Sequence, residues 1–176
     1  TLVAGPSNIN FSKDLKIKKV TTANEMMSEV KKLLPVDIAV CAAAVSDFKP
    51  KVISKNKMKK SDKKFNKLEL EKNSDILEYL GKNNRSRPKI VVGFSAETEN
   101  LIKNSTEKLE KKYCDLIIAN DISKKDFGFN VDYNKISIID KKGNIDSIPK
   151  SKKSFIANIV VKKIIEKLLI DDKNIN

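Results

Sequence analysis

The chain has 176 residues, 40% of them apolar, and 36 basic against 23 acidic side chains give a net charge of +13. That is enough apolar material for one sizeable core, so a single domain over residues 1–176 is expected. No stretch approaches the roughly 18 apolar residues that cross a bilayer, and the start lacks a signal-peptide layout, so a cytoplasmic protein with no membrane partner is expected. Histidine is absent, which excludes Ser-His-Asp hydrolysis, Cys-His proteolysis and imidazole-based zinc sites. What remains is Lys, Asp, Asn, backbone dipoles or a loosely held Mg²⁺. Reactions at phosphorus suit that toolkit, because they rest on positioning and charge neutralisation.

A charge of +13 points to an anionic partner, or equally to compositional drift toward Lys, Asn and Ile. Apart from Arg85 and Arg87 every basic residue is lysine. The planar arginine fork and the exposed aromatics that nucleic-acid readers use are both missing, so no nucleic-acid partner is expected. Cys41 and Cys114 sit in apolar runs, the usual place of a buried small residue.

Apolar runs alternate with helical patterns, the signature of parallel βαβ architecture. TLVAG opens as a strand and KIKKVTT is a short second one. Thr22 caps the helix ANEMMSEVKKLL, whose Met26, Val30, Leu33 and Leu34 form an apolar stripe ended by Pro35. DIAVCAAA reads as a central strand covered on both faces, ending at the polar turn VSDFKP. Residues 49–64 carry eight lysines against Asp62 alone and predict an exposed basic flap of a length that is often functional. KLELE over 67–71 alternates as a half-buried strand, and Asn73 or Ser74 caps a helix through DILEYLGKN. KIVVGFSAE is a buried strand, Thr98 to Lys112 a helix, and DLIIAN a further strand. After the turn-rich DISKKDFGFNVDYN, KISIID and IDSIP form a hairpin around Gly143-Asn144. A helix from Ser151 to Leu169 turns Phe155, Ile159, Ile164 and Leu168 inward.

The expected class is therefore α/β: a Rossmann-like, open, mainly parallel sheet with helices on both faces and an appended β-hairpin. Ligands of such sheets gather at the carboxyl ends of the strands. Those ends are Gly5-Pro6, Ala43 to Asp47, Phe94 to Glu97, and Asn120-Asp121. Asp47 either holds a ribose hydroxyl or caps its turn. The alanines beside it admit a planar base or simply pack, and Phe94 lies against a base or in the core. Lys108 and Lys112, four apart on one helix face, clamp a triphosphate or face solvent. Lys57 in KMKK belongs to a lid or to a plain exposed loop.

Seven segments, TLVAGP, AAAVSDF, KMKK, NSDIL, VVGFSAET, DLIIANDI and GFNVDYN, together resemble the phosphopantothenoylcysteine synthetase (phosphopantothenate–cysteine ligase) domain of the bifunctional coenzyme A biosynthesis flavoprotein. The resemblance implies ligation of 4′-phosphopantothenate to L-cysteine through an acyl-nucleotide intermediate. The nucleotide is expected to be CTP, with ATP as the alternative, and Mg²⁺ accompanies it through ligands the sequence does not reveal. It assigns nucleotide contacts to Ala43, Ala44, Asp47, Lys57, Glu71, Lys72, Asn73, Ser74, Phe94, Lys108 and Lys112, with Lys57 as the flap lysine linked to turnover. It also implies a homodimer and a flavin-dependent decarboxylase domain fused upstream; the hairpin near Ile136 to Ile148 is the part of the chain expected in the dimer contact. Members of the family open with a further strand, Gly-rich turn and helix of about 30 residues. Without that unit the chain is expected to fold poorly or be inactive. Two other readings compete: a Rossmann-type oxidoreductase, which needs a G-x-G-x-x-G turn not visible here, and a basic nucleic-acid-binding domain.

Overall fold

The computed structural model describes residues 1–7, 9–54, 67–82, 85–123 and 131–173, with the side chains of the last helix described to 170. In chain order the first elements are β1 (Leu2–Ala4), β2 (Ile17–Lys19), α1 (Ala23–Leu33), β3 (Ile38–Cys41), β4 (Phe48–Pro50), β5 (Leu70–Lys72) and α2 (Ile76–Gly81). They are followed by β6 (Ile90–Glu97), α3 (Leu101–Lys111), β7 (Leu116–Asp121), β8 (Tyr133–Asp140), β9 (Ile145–Lys152) and α4 (Lys153–Lys173). The chain divides into two compact units, one of Thr1–Lys32 with Ala43–Asp75, the other of Leu33–Ala42 with Ile76–Asn176.

In the first unit β1 and β2 pair in parallel, Leu2 opposite Ile17 and Ala4 opposite Lys19. Thr22 begins α1 as expected: its hydroxyl accepts from the Glu25 N–H at 3.2 Å, while the Glu25 carboxylate accepts from Thr21 N–H at 2.7 Å and Thr22 N–H at 3.3 Å. This reciprocal box satisfies donors that a helix start otherwise leaves open. Those backbone donors hold the Glu25 carboxyl below its usual range. Of the expected stripe Met26 is buried and Val30, Leu33 and Leu34 are half-buried, while Met27, outside the stripe, is buried as well.

The basic run does not start as loop: Lys49 and Pro50 belong to β4, which pairs antiparallel with β5. The half-buried strand expected over 67–71 is instead β5, shifted to Leu70–Lys72 and exposed along its length. One face of the ribbon carries cross-strand ion pairs, Lys49 to Glu71 at 3.2 Å and Lys51 to Glu69 at 3.3 Å. A two-stranded ribbon has too few neighbours to bury either face, which is why alternation in KLELE did not translate into burial.

The second unit is a five-stranded sheet of order β3-β6-β7-β8-β9. β3, β6 and β7 are parallel, whereas β8 and β9 return antiparallel as the expected hairpin. Contrary to the reading of DIAVCAAA as central and doubly covered, β3 is the outer strand among the described residues of this sheet. It pairs with β6 alone, and Val40 is 49% exposed.

Helices cover both faces of the sheet. On one, Ile90 and Val92 of β6, Leu116 and Ile118 of β7, and Ile136 and Ile138 of β8 meet Ile156, Val160 and Ile164 of α4. Burying each such side chain contributes about 1.5–3 kcal/mol. Phe155, expected inward, is exposed; Ile156, one position along, takes its place on the core stripe. On the opposite face, Ser95 of β6 and Ser105 of α3 share a buried hydroxyl hydrogen bond of 2.6 Å. A methyl group on Gly93 would come within 2.7 Å of Leu77 of α2.

The amino end of this sheet is fastened by Asp115, which is 6% exposed. Its carboxylate accepts from Arg87 Nη2 at 2.8 Å, Lys141 Nζ at 2.6 Å and the Val91 N–H at 2.7 Å. Arg87 also donates to the carbonyls of Gly81 at 2.9 Å and Tyr113 at 3.0 Å. Burial alone would raise the Asp115 pKa, but Lys141, the Val91 amide and Arg87 outweigh it and bring it below the usual range.

A folded pKa below the unfolded value gives stability that is complete above about pH 4 and is lost as pH falls through the folded value. Asp115→Asn should therefore cost about 3 kcal/mol near neutrality, with the gap from wild type closing in acid. Urea midpoints measured from pH 7 to pH 3 check this, and a gap independent of pH would refute it. Gly81→Ala should cost about 3 kcal/mol or more, because the new Cβ would sit 1.9 Å from the Lys112 carbonyl oxygen.

Candidate functional site

The ladder between β3 and β6 ends at Cys41 opposite Gly93, so Phe94 to Glu97 run on beyond it. The Ile90 N–H bonds to Asp37 on the β3 side; strand alternation therefore turns the backbone of Phe94 and Ala96 toward the same side, where the ladder has stopped. A carbonyl left there needs a donor. Lys108 of α3 supplies it, its Nζ 2.8 Å from the Phe94 carbonyl oxygen. The Phe94 ring is half-buried and packs on the α4 face, opposite the face covered by α3, so of Phe94 it is the carbonyl that meets Lys108.

Further along the carboxyl ends the groups are polar and mutually fixed. Asn120 Nδ2 donates to the Ser95 carbonyl at 2.9 Å, and its Oδ1 accepts from Asn134 Nδ2 at 2.7 Å. Glu97 accepts from Asn104 at 3.1 Å through its carboxylate and from the Ile122 N–H at 3.0 Å through its carbonyl. Asp121 accepts from Ser123 Oγ at 2.6 Å and Lys135 Nζ at 3.1 Å. Its pKa is lowered, first by the Ser123 hydroxyl.

Lys112, at the carboxyl end of α3, pairs with Glu78 of α2 at 3.1 Å, and Lys82 reaches the other oxygen of the same carboxylate at 2.9 Å. These two ammonium groups, Lys82 first, draw the Glu78 pKa down. Lys108 and Lys112, read from spacing as one clamp, thus have separate partners: a backbone carbonyl and a carboxylate.

In the first unit Asn73 ties together the two ends of the flap ribbon. Its Nδ2 donates to the Ser46 carbonyl at 2.8 Å and its backbone N–H to the Asp47 carbonyl at 2.8 Å. Its side chain is thus engaged with the turn before β4. Asn73 Oδ1 is the one buried side-chain oxygen or nitrogen without a partner among the described residues, an acceptor that costs free energy until a donor arrives. Ala43, Ala44, Asp47, Glu71, Lys72 and Ser74 are exposed in the same unit, and Glu71 is engaged with Lys49. Phe94, Lys108 and Lys112 belong to the second unit, and Lys57 lies outside the described residues.

Glu78, Asn134 and Asn104 were not singled out from sequence. The i, i+4 spacing of Glu78 and Lys82 is a legible signal, but the link from Glu78 to Lys112 crosses between helices. Cys114 is fully buried, and burial pushes its thiol up to about 12, so it stays protonated and unsuited to nucleophilic work. Among the described residues no three Asp, Glu, His or Cys side chains converge to hold a metal ion. No helix among them is long and apolar enough to cross a membrane.

An open, mainly parallel sheet covered on both faces, with polar groups at the carboxyl ends of its strands, defines a Rossmann-like α/β domain. Residues 1–168 match the family described as DNA/pantothenate metabolism flavoprotein C-terminal domain, and the chain belongs to that family. It is 42% identical over 166 residues to the coenzyme A biosynthesis bifunctional protein CoaBC of Borreliella burgdorferi, covering 92% of this chain and 40% of that protein. The crystal structure of the C-terminal domain of a CoaBC protein superposes with a TM-score of 0.76 at 29% identity, covering 97% of this chain and 74% of that one. A Cab2 mutant solved in complex with phosphopantothenate-cysteine shares the fold at a TM-score of 0.61 and 20% identity, over 89% of this chain and 55% of that one. The resemblance to the phosphopantothenoylcysteine synthetase domain, read from motifs, is thereby borne out.

Asn73→Ala should speed amide exchange at Asn73 and across 46–48 by up to about tenfold, the loss of one side-chain hydrogen bond to the turn. Unchanged exchange would show that the turn is ordered by something else.

Proposed function

We propose that the protein carrying this domain joins 4′-phosphopantothenate to L-cysteine at the expense of a nucleoside triphosphate, CTP in preference to ATP. The family assignment over residues 1–168 carries the reading. The carboxylate of the pantothenate moiety attacks the α-phosphorus, pyrophosphate leaves, and an acyl-cytidylate forms. The cysteine amine then attacks the acyl carbon, CMP leaves, and the amide nitrogen sheds its proton. At neutral pH the carboxylate is already ionised, so the first step needs cations and alignment but no resident base. A chain without histidine can serve such a step.

Ala43, Ala44, Asp47, Glu71, Lys72, Asn73, Ser74, Phe94, Lys108 and Lys112 are the proposed nucleotide contacts, and the Asn73 acceptor suits a ligand hydroxyl or amine. Lys57 is the proposed lid lysine acting in turnover. Mg²⁺ enters with the triphosphate as part of the substrate: the described residues offer no three-carboxylate cage, and this ion is commonly held by phosphates and water. We further propose a cytoplasmic homodimer with the β8–β9 hairpin in its contact, and a flavin-dependent decarboxylase domain in the same polypeptide. The chain spans only 40% of a bifunctional relative, so these statements concern the whole protein.

The full-length protein should release pyrophosphate over many turnovers only when CTP, 4′-phosphopantothenate and cysteine are all supplied, and at most about one equivalent per site when cysteine alone is left out. Sustained release without cysteine, any release without phosphopantothenate, or strong NADH binding in their place would overturn the reading. Lys57→Ala should lower kcat about a hundredfold while changing nucleotide Kd by less than about threefold; equal losses in both would remove the lid role.

A further inference from the structure

α4 spends its buried side on the sheet through Ile156, Val160 and Ile164. On its flank toward β9 lie Ile159, Lys162 and Lys163, the last ion-paired with Asp146. At about 3.6 residues per turn the opposite flank carries Ala157, Val161, Ile165 and Leu168, with no charged residue among them. Val161 is 53% and Ile165 48% exposed.

That flank points back across the sheet, away from β9 and toward β3. The same face of the sheet is open there. Val40 of β3 pairs with Val92, and parallel partners share a face. Val92 lies in the cluster beneath α4, yet Val40 is exposed and Ile38 beside it is only half-buried. An apolar floor on β3 thus meets an apolar wall on α4 in one shallow groove. Single exposed apolar residues are ordinary on a surface, but a continuous uncharged floor and wall mark a contact. The unbroken apolar run Ile38 to Cys41 belongs to a strand covered on both faces, and this is the face left open.

We propose that an amphipathic helix of the same polypeptide, contributed from outside residues 1–176, lies in this groove with its apolar stripe against Val161, Ile165 and Val40. Helices are what cover the faces of a parallel sheet. The wall residues recur at i, i+4, i+8 and i+11, the spacing by which one helix meets another. Chain to supply the helix exists: a solved CoaBC C-terminal domain that matches 97% of this chain is itself covered over only 74%, so about a quarter of such a domain has no counterpart here. A second copy does not fit as well, because a two-fold contact needs a self-complementary patch, and a recessed floor beside a raised wall is not one. The groove needs this cover whatever the domain catalyses.

The test uses the full-length protein. Photo-reactive benzoylphenylalanine is introduced in place of Ile165, and separately of Val161, the sample is irradiated, and the linked peptides are identified by mass spectrometry. From both positions the expected links run within one polypeptide to a segment outside residues 1–176. Links confined to residues 1–176, links between two polypeptides, or no links at all would each overturn the proposal. Thermal unfolding gives a second measure. Ile165→Lys should lower the midpoint by more than about 3 °C, because the contact would have to bury a charge; a smaller shift would show that the flank faces water and would overturn the proposal as well. Should Ile165→Lys lose its cooperative transition, Ile165→Ser is read against an expected drop of more than about 1 °C.

Discussion

The carboxylate of Asp115 is the group on which the second unit depends. It is nearly fully buried, yet three donors from separate parts of the chain converge on it: Arg87 before β6, the Val91 amide in β6, and Lys141 after β8. A buried carboxylate is tolerated only when such partners replace the water it has lost, so the three segments must come together for the core to close. Arg87 passes the constraint on to the ends of α2 and α3 through the carbonyls of Gly81 and Tyr113. The amino end of the sheet is therefore rigid. Candidate functional groups gather away from it, where β6 runs past its neighbour and strand pairing no longer satisfies the backbone.

Rigidity at one end and unsatisfied backbone at the other is the arrangement that lets an α/β sheet bind ligands without losing its fold. Side chains complete what the ladder leaves open: Lys108 for the Phe94 carbonyl, Asn120 for the Ser95 carbonyl, and Asn134 behind Asn120. Each of these is short-range and polar, so each can be exchanged for a ligand hydrogen bond at modest net cost. In the first unit Asn73 does similar work, closing the turn at Ser46 and Asp47 while keeping an acceptor without a partner.

The lysine excess takes on a different meaning once its partners are known. Lys49, Lys51, Lys82, Lys112, Lys135, Lys141 and Lys163 each face a carboxylate. Much of the charge is thus locally balanced, and a net value says little about where an anion would bind. Exposed pairs of this kind contribute only a few tenths of a kcal/mol each.

Sequence by itself determined the class of fold, the family, and nearly every element of the second unit. Those features rest on local signals: continuous apolar runs in β6 and β7, the Thr22 to Glu25 box, and the Gly143 turn between β8 and β9, whose φ of 83° suits glycine. Candidate residues such as Asp47, Asn73, Phe94 and Lys108 were legible as strand-end or family-motif positions, but their roles were not. Tertiary structure alone decided that β3 lies at an edge, that KLELE goes unburied, that Ile156 and not Phe155 faces the core, and that Glu78 holds Lys112. The physical reason is the same in each case. Periodicity tells which side of an element is apolar, whereas burial, strand order and ion pairing depend on which distant segment arrives to cover it.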